Sequence, residues 1–204
     1  MQMDDKKLKK SIKTEYWLER QKEWAGGKRN KLINASNIKI FDLINNIDNI
    51  ENKIICEVGC GTGQYLGCIK KYKYLYGIDF MEDCVTISNK IKPKNCEIFL
   101  DDIVDLKFNK NIDIAYTITC LQHIHPTQII MTIKNIMKLN PGLILIYEKD
   151  NTTFENLKKD ETNYIWGHDY IELICSNIKE YRYNLVFREL GENKMNYVMA
   201  FEKE

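Results

Sequence analysis

Residues 53–79 of this 204-residue chain read KIICEVGCGTGQYLGCIKKYKYLYGID, and this stretch decides the fold. It opens with a short apolar run, residues 53–58, which is typical of a buried parallel strand. The glycines that follow let the backbone turn tightly and let a ligand lie directly against it. A second apolar run, residues 74–79, predicts the next strand. The stretch therefore predicts one βαβ unit, with a helix over residues 63–72 between its strands.

Strand-like and helix-like segments continue to alternate on both sides of this unit. Helices are predicted over residues 11–23, 36–46 (with Ser36 as N-cap), 81–91, 127–138 and 162–177. Further strands are predicted over residues 96–100, 112–118, 143–148, 181–190 and 195–203. The turn residues 191–194 between the last two strands indicate a hairpin. We expect an α/β fold: a doubly wound, mostly parallel seven-stranded sheet that ends in an antiparallel hairpin.

This pattern shows no domain-scale linker, so we expect a single domain over residues 1–204. Within it, four parts are expected: N-terminal helices (1–50) that cap the site, a cofactor-binding core (53–148), a lid (149–177) and the C-terminal hairpin (181–203).

Composition excludes several classes of protein. The net charge is +1, with 44% apolar and 29% charged residues, so nothing draws the whole chain to nucleic acid or to an anionic membrane. No apolar run approaches the roughly twenty residues of a membrane span, and MQMDDKKLKK lacks the apolar part of a signal peptide. The seven cysteines include no C-x-x-C pair, which favours reduced, mostly structural thiols and no metal site. We expect a cytoplasmic protein.

The glycine motif distinguishes between two cofactor classes. Its letters are Glu57-Val58-Gly59-Cys60-Gly61-Thr62-Gly63. A dinucleotide fingerprint would place a third glycine at position 64, where this chain has Gln64. The pattern is therefore E-x-G-x-G-x-G, which suits a cofactor without phosphate.

On these residues the chain resembles the class I methyltransferases that use S-adenosylmethionine (SAM), over about residues 53–148. The resemblance implies that Glu57 holds the methionine end of SAM and that Asp79 binds the ribose hydroxyls. It places Asp102, with Asp101 as the alternative, near the adenine amino group, and the backbone of Ile103 near the ring. Thr117 and Leu121, at the end of the fourth strand, are implied to approach the cofactor. The expected cofactor-binding set is Glu57, Gly59, Cys60, Gly61, Gly63, Asp79, Phe80, Asp101, Asp102, Ile103, Thr117 and Leu121.

Candidates for contact with the methyl acceptor lie at the carboxyl ends of the strands and in the N-terminal segment. His123, Glu148 and His168 are the predicted catalytic residues, as a base or as groups that orient an acceptor. The predicted substrate-binding residues are Tyr16, Trp17, Arg20, Trp24 and His125, which could supply aromatic walls and a cation.

The predicted function is transfer of a methyl group from SAM to an oxygen or nitrogen of a small molecule, such as a surface-glycan or secondary-metabolite precursor, with S-adenosylhomocysteine (SAH) as product. Two alternatives stay open. The acceptor could be a macromolecule such as tRNA or a protein, or the domain could bind SAM without catalysis. Nucleic acid is the less favoured partner, because residues 112–126 carry no N/D-P-P motif.

Overall fold

The computed structural model describes residues 39–149, 165–176, 178, 181–190 and 196–204. Several predictions fall outside these residues: the helix over 11–23, Ser36, most of the lid (149–177), the hairpin turn 191–194, and the candidate substrate residues Tyr16, Trp17, Arg20 and Trp24. Among the described residues, no helix is long and apolar enough to cross a membrane.

Helices and strands alternate along most of the described chain, as predicted, with an exception between the first two strands. The helices are α1 (Lys39–Asn45), α2 (Glu82–Ile91), α3 (Pro126–Lys138) and α4 (Tyr170–Cys175). The strands are β1 (Ile54–Val58), β2 (Tyr74–Asp79), β3 (Cys96–Leu100), β4 (Ile114–Ile118), β5 (Leu143–Glu148), β6 (Tyr183–Leu190) and β7 (Tyr197–Lys203). In the part of the chain that the structure describes, they form a single seven-stranded sheet in the order β3-β2-β1-β4-β5-β7-β6.

The sheet confirms the predicted fold class. The pairs from β3 through β5 are parallel, and β7 joins β5 and β6 by antiparallel pairing. β1 and β4 are neighbours at the centre of the sheet. The chain continues from β1 toward one edge of the sheet and from β4 toward the other, so the strand order reverses between them. In open α/β sheets a ligand binds at such a switch point, outside the carboxyl ends of the strands.

Both faces of the sheet are covered, which explains why β4 is buried at every position. On one face, Cys56, Ala115 and Ile144 share an apolar core with residues of α3 and α4. On the other face, the ring of Phe41 from α1 lies 5.9 Å from that of Tyr65 and 6.3 Å from that of Tyr116. The centre of the sheet is therefore packed on both faces.

The predicted helix over residues 63–72 is wrong. The structure has only a 3₁₀ turn there, Leu66–Cys68. The side chain of Asn45 bonds the backbone that a helix would have used: its Nδ2 donates to the Cys68 carbonyl at 3.1 Å, and its Oδ1 accepts from the Lys70 amide at 2.9 Å. Glycine at position 67 weakens a helix further.

The helix predicted over residues 162–177 is shorter than expected, because α4 begins only at Tyr170. The carboxylate of Asp169 accepts the Glu172 amide at 2.9 Å, which is the N-cap bond that starts the helix. Before it the chain lies against the segment after β4, where the Trp166 amide donates to the Gln122 carbonyl at 2.8 Å.

Candidate functional site

The glycine turn after β1 forms the floor of the site. Gly59, Gly61 and Gly63 all have positive φ, of 74°, 53° and 77°, a conformation that other L-residues rarely adopt. A Cβ at Gly59 would lie 2.2 Å from the Cys120 sulfur, and one at Gly63 would lie 2.8 Å from the Ser88 Cβ. A Cβ at Gly61 would meet no atom of the described residues within 4 Å. Two glycines are therefore needed for packing, and the third has no neighbour at this position in the part of the chain that the structure describes.

Asp79 joins this turn to the end of β2. Its Oδ2 accepts the Gly61 amide at 2.9 Å, and its Oδ1 accepts the Met81 amide at 2.9 Å. The residue as a whole is 8% exposed. These two bonds fix the carboxylate beside the glycine turn.

Glu57, the acidic residue of the glycine motif, lies deeper than the resemblance suggests. It is buried, and the Tyr116 hydroxyl donates to its Oε2 at 2.9 Å. Burial raises the pKa of Glu57 to about 8, against the lowering effect of the Tyr116 bond. A group with that pKa carries a proton at neutral pH and is poised to lose it when a cation approaches.

Asp101 and Asp102 organise the turn after β3. The Asp101 carboxylate accepts the amides of Asp102, Lys107 and Phe108 at 2.9, 2.9 and 2.6 Å. Asp102 accepts the Val104 amide at 3.0 Å, and its neighbour Ile103 is buried. Both aspartates thus shape this turn, which the Asp101 amide ties to the Asp79 carbonyl at 2.9 Å.

The residues that follow β4, numbers 119–124, are named the β4 loop here, and Glu148 at the end of β5 is its anchor. One oxygen, Oε1, accepts the Thr117 hydroxyl and the amides of Cys120 (2.8 Å) and Leu121 (3.0 Å). The other, Oε2, accepts the Gln122 amide at 3.2 Å. Glu148 is 0% exposed. Burial raises its pKa to about 7, and these donors oppose that rise.

The three predicted histidines surround the β4 loop but differ in role. His168 is buried, and its Nε2 bonds the Ile124 carbonyl at 2.9 Å. Burial lowers the pKa of His168 to about 4, so the ring is neutral. His125 is the N-cap of α3, where its Nδ1 accepts the Thr127 amide at 3.2 Å. His123 is half-buried within the loop, with its Nε2 3.4 Å from the Gln122 Nε2.

The structure therefore brings most of the predicted residues to one edge of the sheet. The described cofactor candidates lie on the ends of β1, β2, β3 and β4, and the catalytic candidates lie around the β4 loop. Sequence reasoning missed Gln122, which is buried. Its backbone amide donates to Glu148 and its carbonyl accepts the Trp166 amide, while its side-chain oxygen accepts the Lys149 amide at 3.2 Å. Its position between two predicted site residues, Leu121 and His123, was the feature of the sequence that could have indicated it.

Comparisons with known proteins find methyltransferases. Residues 55–142 match a family described as a methyltransferase domain. A probable cobalt-precorrin-6B C(15)-methyltransferase (decarboxylating) from Methanococcus maripaludis is 41% identical over 66 residues, which cover 28% of this chain and 36% of the relative. The chain thus matches only about a third of the length of this relative.

Solved structures extend the likeness to most of the chain. The magnesium protoporphyrin IX methyltransferase from Synechocystis, crystallised with SAM, has a TM-score of 0.63 at 12% identity, covering 81% of this chain and 76% of its own. The N-methyltransferase NodS from Bradyrhizobium japonicum, in complex with SAH, has a TM-score of 0.61 at 17% identity, covering 74% and 78%. At these identities the likeness shows the fold.

Proposed function

This chain has the fold of the class I methyltransferases and matches a methyltransferase domain over residues 55–142, and from this premise we propose that it transfers a methyl group from SAM to an oxygen or nitrogen of a small molecule. The proposal makes SAM the cofactor and SAH the product.

One observation carries the cofactor assignment: among the described residues, the space at the Cβ position of Gly61 is open and lies beside the carboxylate that ends β2. The positive φ of Gly61 and the lack of described neighbours at its Cβ position leave room for a ligand against the backbone. Asp79 is fixed beside this space because its oxygens accept the Gly61 and Met81 amides. A ribose with two adjacent hydroxyls fits such a carboxylate. Gln64 in place of a glycine argues against a dinucleotide.

When bound, SAM supplies a sulfonium methyl group that a nucleophile can take by in-line displacement. The residues of this chain bind the cofactor, orient the acceptor and exclude water. Asp79 accepts hydrogen bonds from the ribose, and the glycine turn allows close approach. Glu57, protonated when alone, can become a carboxylate next to the ammonium group of the methionine end. The turn shaped by Asp101 and Asp102 is the proposed boundary of the adenine site.

The acceptor side is proposed to lie over the β4 loop. There His123 is half-buried, whereas His168 is neutral and bonded to a backbone carbonyl. We therefore favour His123 over His168 for contact with an acceptor. A small acceptor is supported by the net charge of +1, which gives no general attraction to a polyanion. The cysteine spacing, with no C-x-x-C pair, supports the proposal of a reducing compartment such as the cytoplasm.

Calorimetry with SAM, SAH and NAD tests the cofactor. We expect SAM and SAH to bind and NAD to give no heat of binding. Binding of NAD without SAM would contradict the proposal. If the cofactor binds, incubation with methyl-labelled SAM and pools of small molecules, against tRNA as the alternative acceptor, tests the acceptor class. Label in tRNA alone would replace the small-molecule proposal.

A further inference from the structure

Glu148 accepts four hydrogen bonds, three of them from amides of the β4 loop, and we propose that it is a positioning residue for methyl transfer rather than a base. In this inference Glu148 fixes the β4 loop as the preformed wall between the glycine turn and the acceptor. The inference rests on the proposed function, since it assigns a role within that site.

The burial of the carboxylate is the first argument. Glu148 is 0% exposed, and its Oε1 already has three donors, the Thr117 hydroxyl and the amides of Cys120 and Leu121. A base must come within hydrogen-bond reach of the proton that it takes. A carboxylate enclosed by its own chain does not reach an acceptor, so Glu148 acts through the loop that it binds.

The conformation of the β4 loop is the second argument. Three successive amides, of residues 120, 121 and 122, point to one carboxylate. Consecutive amides that converge in this way form an anion-binding concavity. Thr119, which precedes them, has φ of +50°, an uncommon conformation for a β-branched residue. Strained residues of this kind persist only when their surroundings hold them, and here the held amides follow directly.

The contacts of the β4 loop with its neighbours are the third argument. Cys120 packs its sulfur where a Cβ of Gly59 would be, so the loop lies directly against the glycine turn. On the other side, the Trp166 amide bonds the Gln122 carbonyl and the His168 ring bonds the Ile124 carbonyl. A displaced β4 loop would therefore disturb the cofactor floor and the segment before α4 together.

The test uses Glu148→Gln, which keeps the side-chain size but presents an NH₂ group to the loop's donors. The matched control is Glu202→Gln, an exposed residue of β7. Hydrogen exchange of the amides of residues 120–122 is measured without ligand, and SAH affinity is measured by calorimetry between about pH 6 and about pH 8. We expect Glu148→Gln to exchange these amides faster and to bind SAH at least about tenfold more weakly. The control should match the wild type in both.

A second variant keeps the test decisive if Glu148→Gln does not fold. It is made in the Glu57→Gln background, so that Glu57 does not contribute to the pH dependence of SAH affinity. There Thr117→Val removes one donor to the ionised Glu148 carboxylate, so the midpoint of that pH dependence near pH 7 should move upward relative to Glu57→Gln. Mere loss of packing would lower affinity at every pH without moving that midpoint.

The outcomes separate this inference from the proposed function. If wild-type protein binds SAH but Glu148→Gln keeps wild-type exchange and affinity, the positioning role is overturned and the cofactor assignment stands. An unmoved midpoint in Thr117→Val overturns it as well. If the wild type does not bind SAH at all, the proposed function fails, whereas faster exchange in Glu148→Gln would still show that the carboxylate holds the loop.

Discussion

The amide of Gly61 donates to Oδ2 of Asp79 at 2.9 Å, and this bond joins the glycine turn after β1 to the end of β2. The same carboxylate accepts the Met81 amide, so Asp79 fixes the start of the segment that leads into α2. A residue proposed to bind the cofactor's ribose thus also shapes the floor on which the cofactor lies. Substitutions at Asp79 should therefore change both binding and local structure.

Asp79→Asn tests this double role. Asparagine keeps the size of the side chain but loses the charge and one acceptor oxygen, so we expect SAH affinity to fall by about ten- to a hundredfold, the loss of one or two hydrogen bonds to a charged group. Calorimetry measures the affinity, with circular dichroism as a check of folding. Asp42→Asn on the exposed side of α1 is the control. Unchanged affinity in Asp79→Asn would contradict the ribose assignment.

The alternation of strands and helices was predictable because a buried parallel strand is a continuous apolar run, and every such run from β1 to β5 became a strand. The helix predicted after the glycine turn failed for a reason that is not local. Asn45, in a different helix, bonds the backbone at Cys68 and Lys70. Local propensity carries no information on a partner so distant in sequence.

Gly59→Ala and Gly61→Ala form a second test, because they place the same methyl group in two different surroundings. At Gly59 the new Cβ would clash with the Cys120 sulfur at 2.2 Å in a positive-φ conformation, so we expect a loss of about 3 kcal/mol or more in the free energy of unfolding. At Gly61 the Cβ meets none of the residues described by the structure, so backbone strain of about 1 kcal/mol is the expected loss.

The effect of these two variants on SAH binding should not follow their effect on stability. Gly61→Ala fills the space proposed for the cofactor and should abolish binding while the protein stays folded. Urea unfolding and calorimetry on both variants measure the two effects. Equal destabilisation, or wild-type SAH affinity in Gly61→Ala, would contradict the assignment of open space above this glycine.

The candidate site was predictable only in part. The acidic and glycine positions could be chosen because strand ends meet at one edge of a parallel sheet. The hydrogen bonds to Glu148 could not be predicted, because most of their donors are backbone amides and the amino-acid sequence does not show where those amides point. For the same reason His168 could be named but its bond to the Ile124 carbonyl could not.

Glu57 should make stability depend on pH. Its folded pKa of about 8 lies above the ordinary value of 4.5, so its contribution to stability is fully present below about pH 4.5 and is lost as pH rises to about 8. The change amounts to about 5 kcal/mol at most.

Glu57→Gln should reduce this fall in the free energy of unfolding, whereas Glu97→Gln on the exposed side of β3 should leave it unchanged. Urea unfolding at a series of pH values measures the slope. A wild-type slope in Glu57→Gln would show that Glu57 ionises normally.

His168 should act in the opposite direction. Burial holds its pKa at about 4 in the folded protein, below the ordinary 6.5, so the unfolded chain binds the extra proton between those values. Its contribution to stability is therefore present above about pH 6.5 and is lost as pH falls to about 4, by about 3 kcal/mol. Glu148, whose pKa burial raises to about 7, acts in the same direction as Glu57, so between about pH 4.5 and about pH 6.5 the two carboxyls mask the effect of His168 in the wild type.

The effect of His168 is therefore measured as a difference between two variants that both keep Glu148. One is Glu57→Gln, and the other adds His168→Gln, in which glutamine can still donate to the Ile124 carbonyl but does not titrate. Relative to Glu57→Gln, the double variant should gain about 3 kcal/mol in the free energy of unfolding as pH falls from about 6.5 to about 4. A difference between the two variants that stays constant over this range would contradict the low pKa of His168.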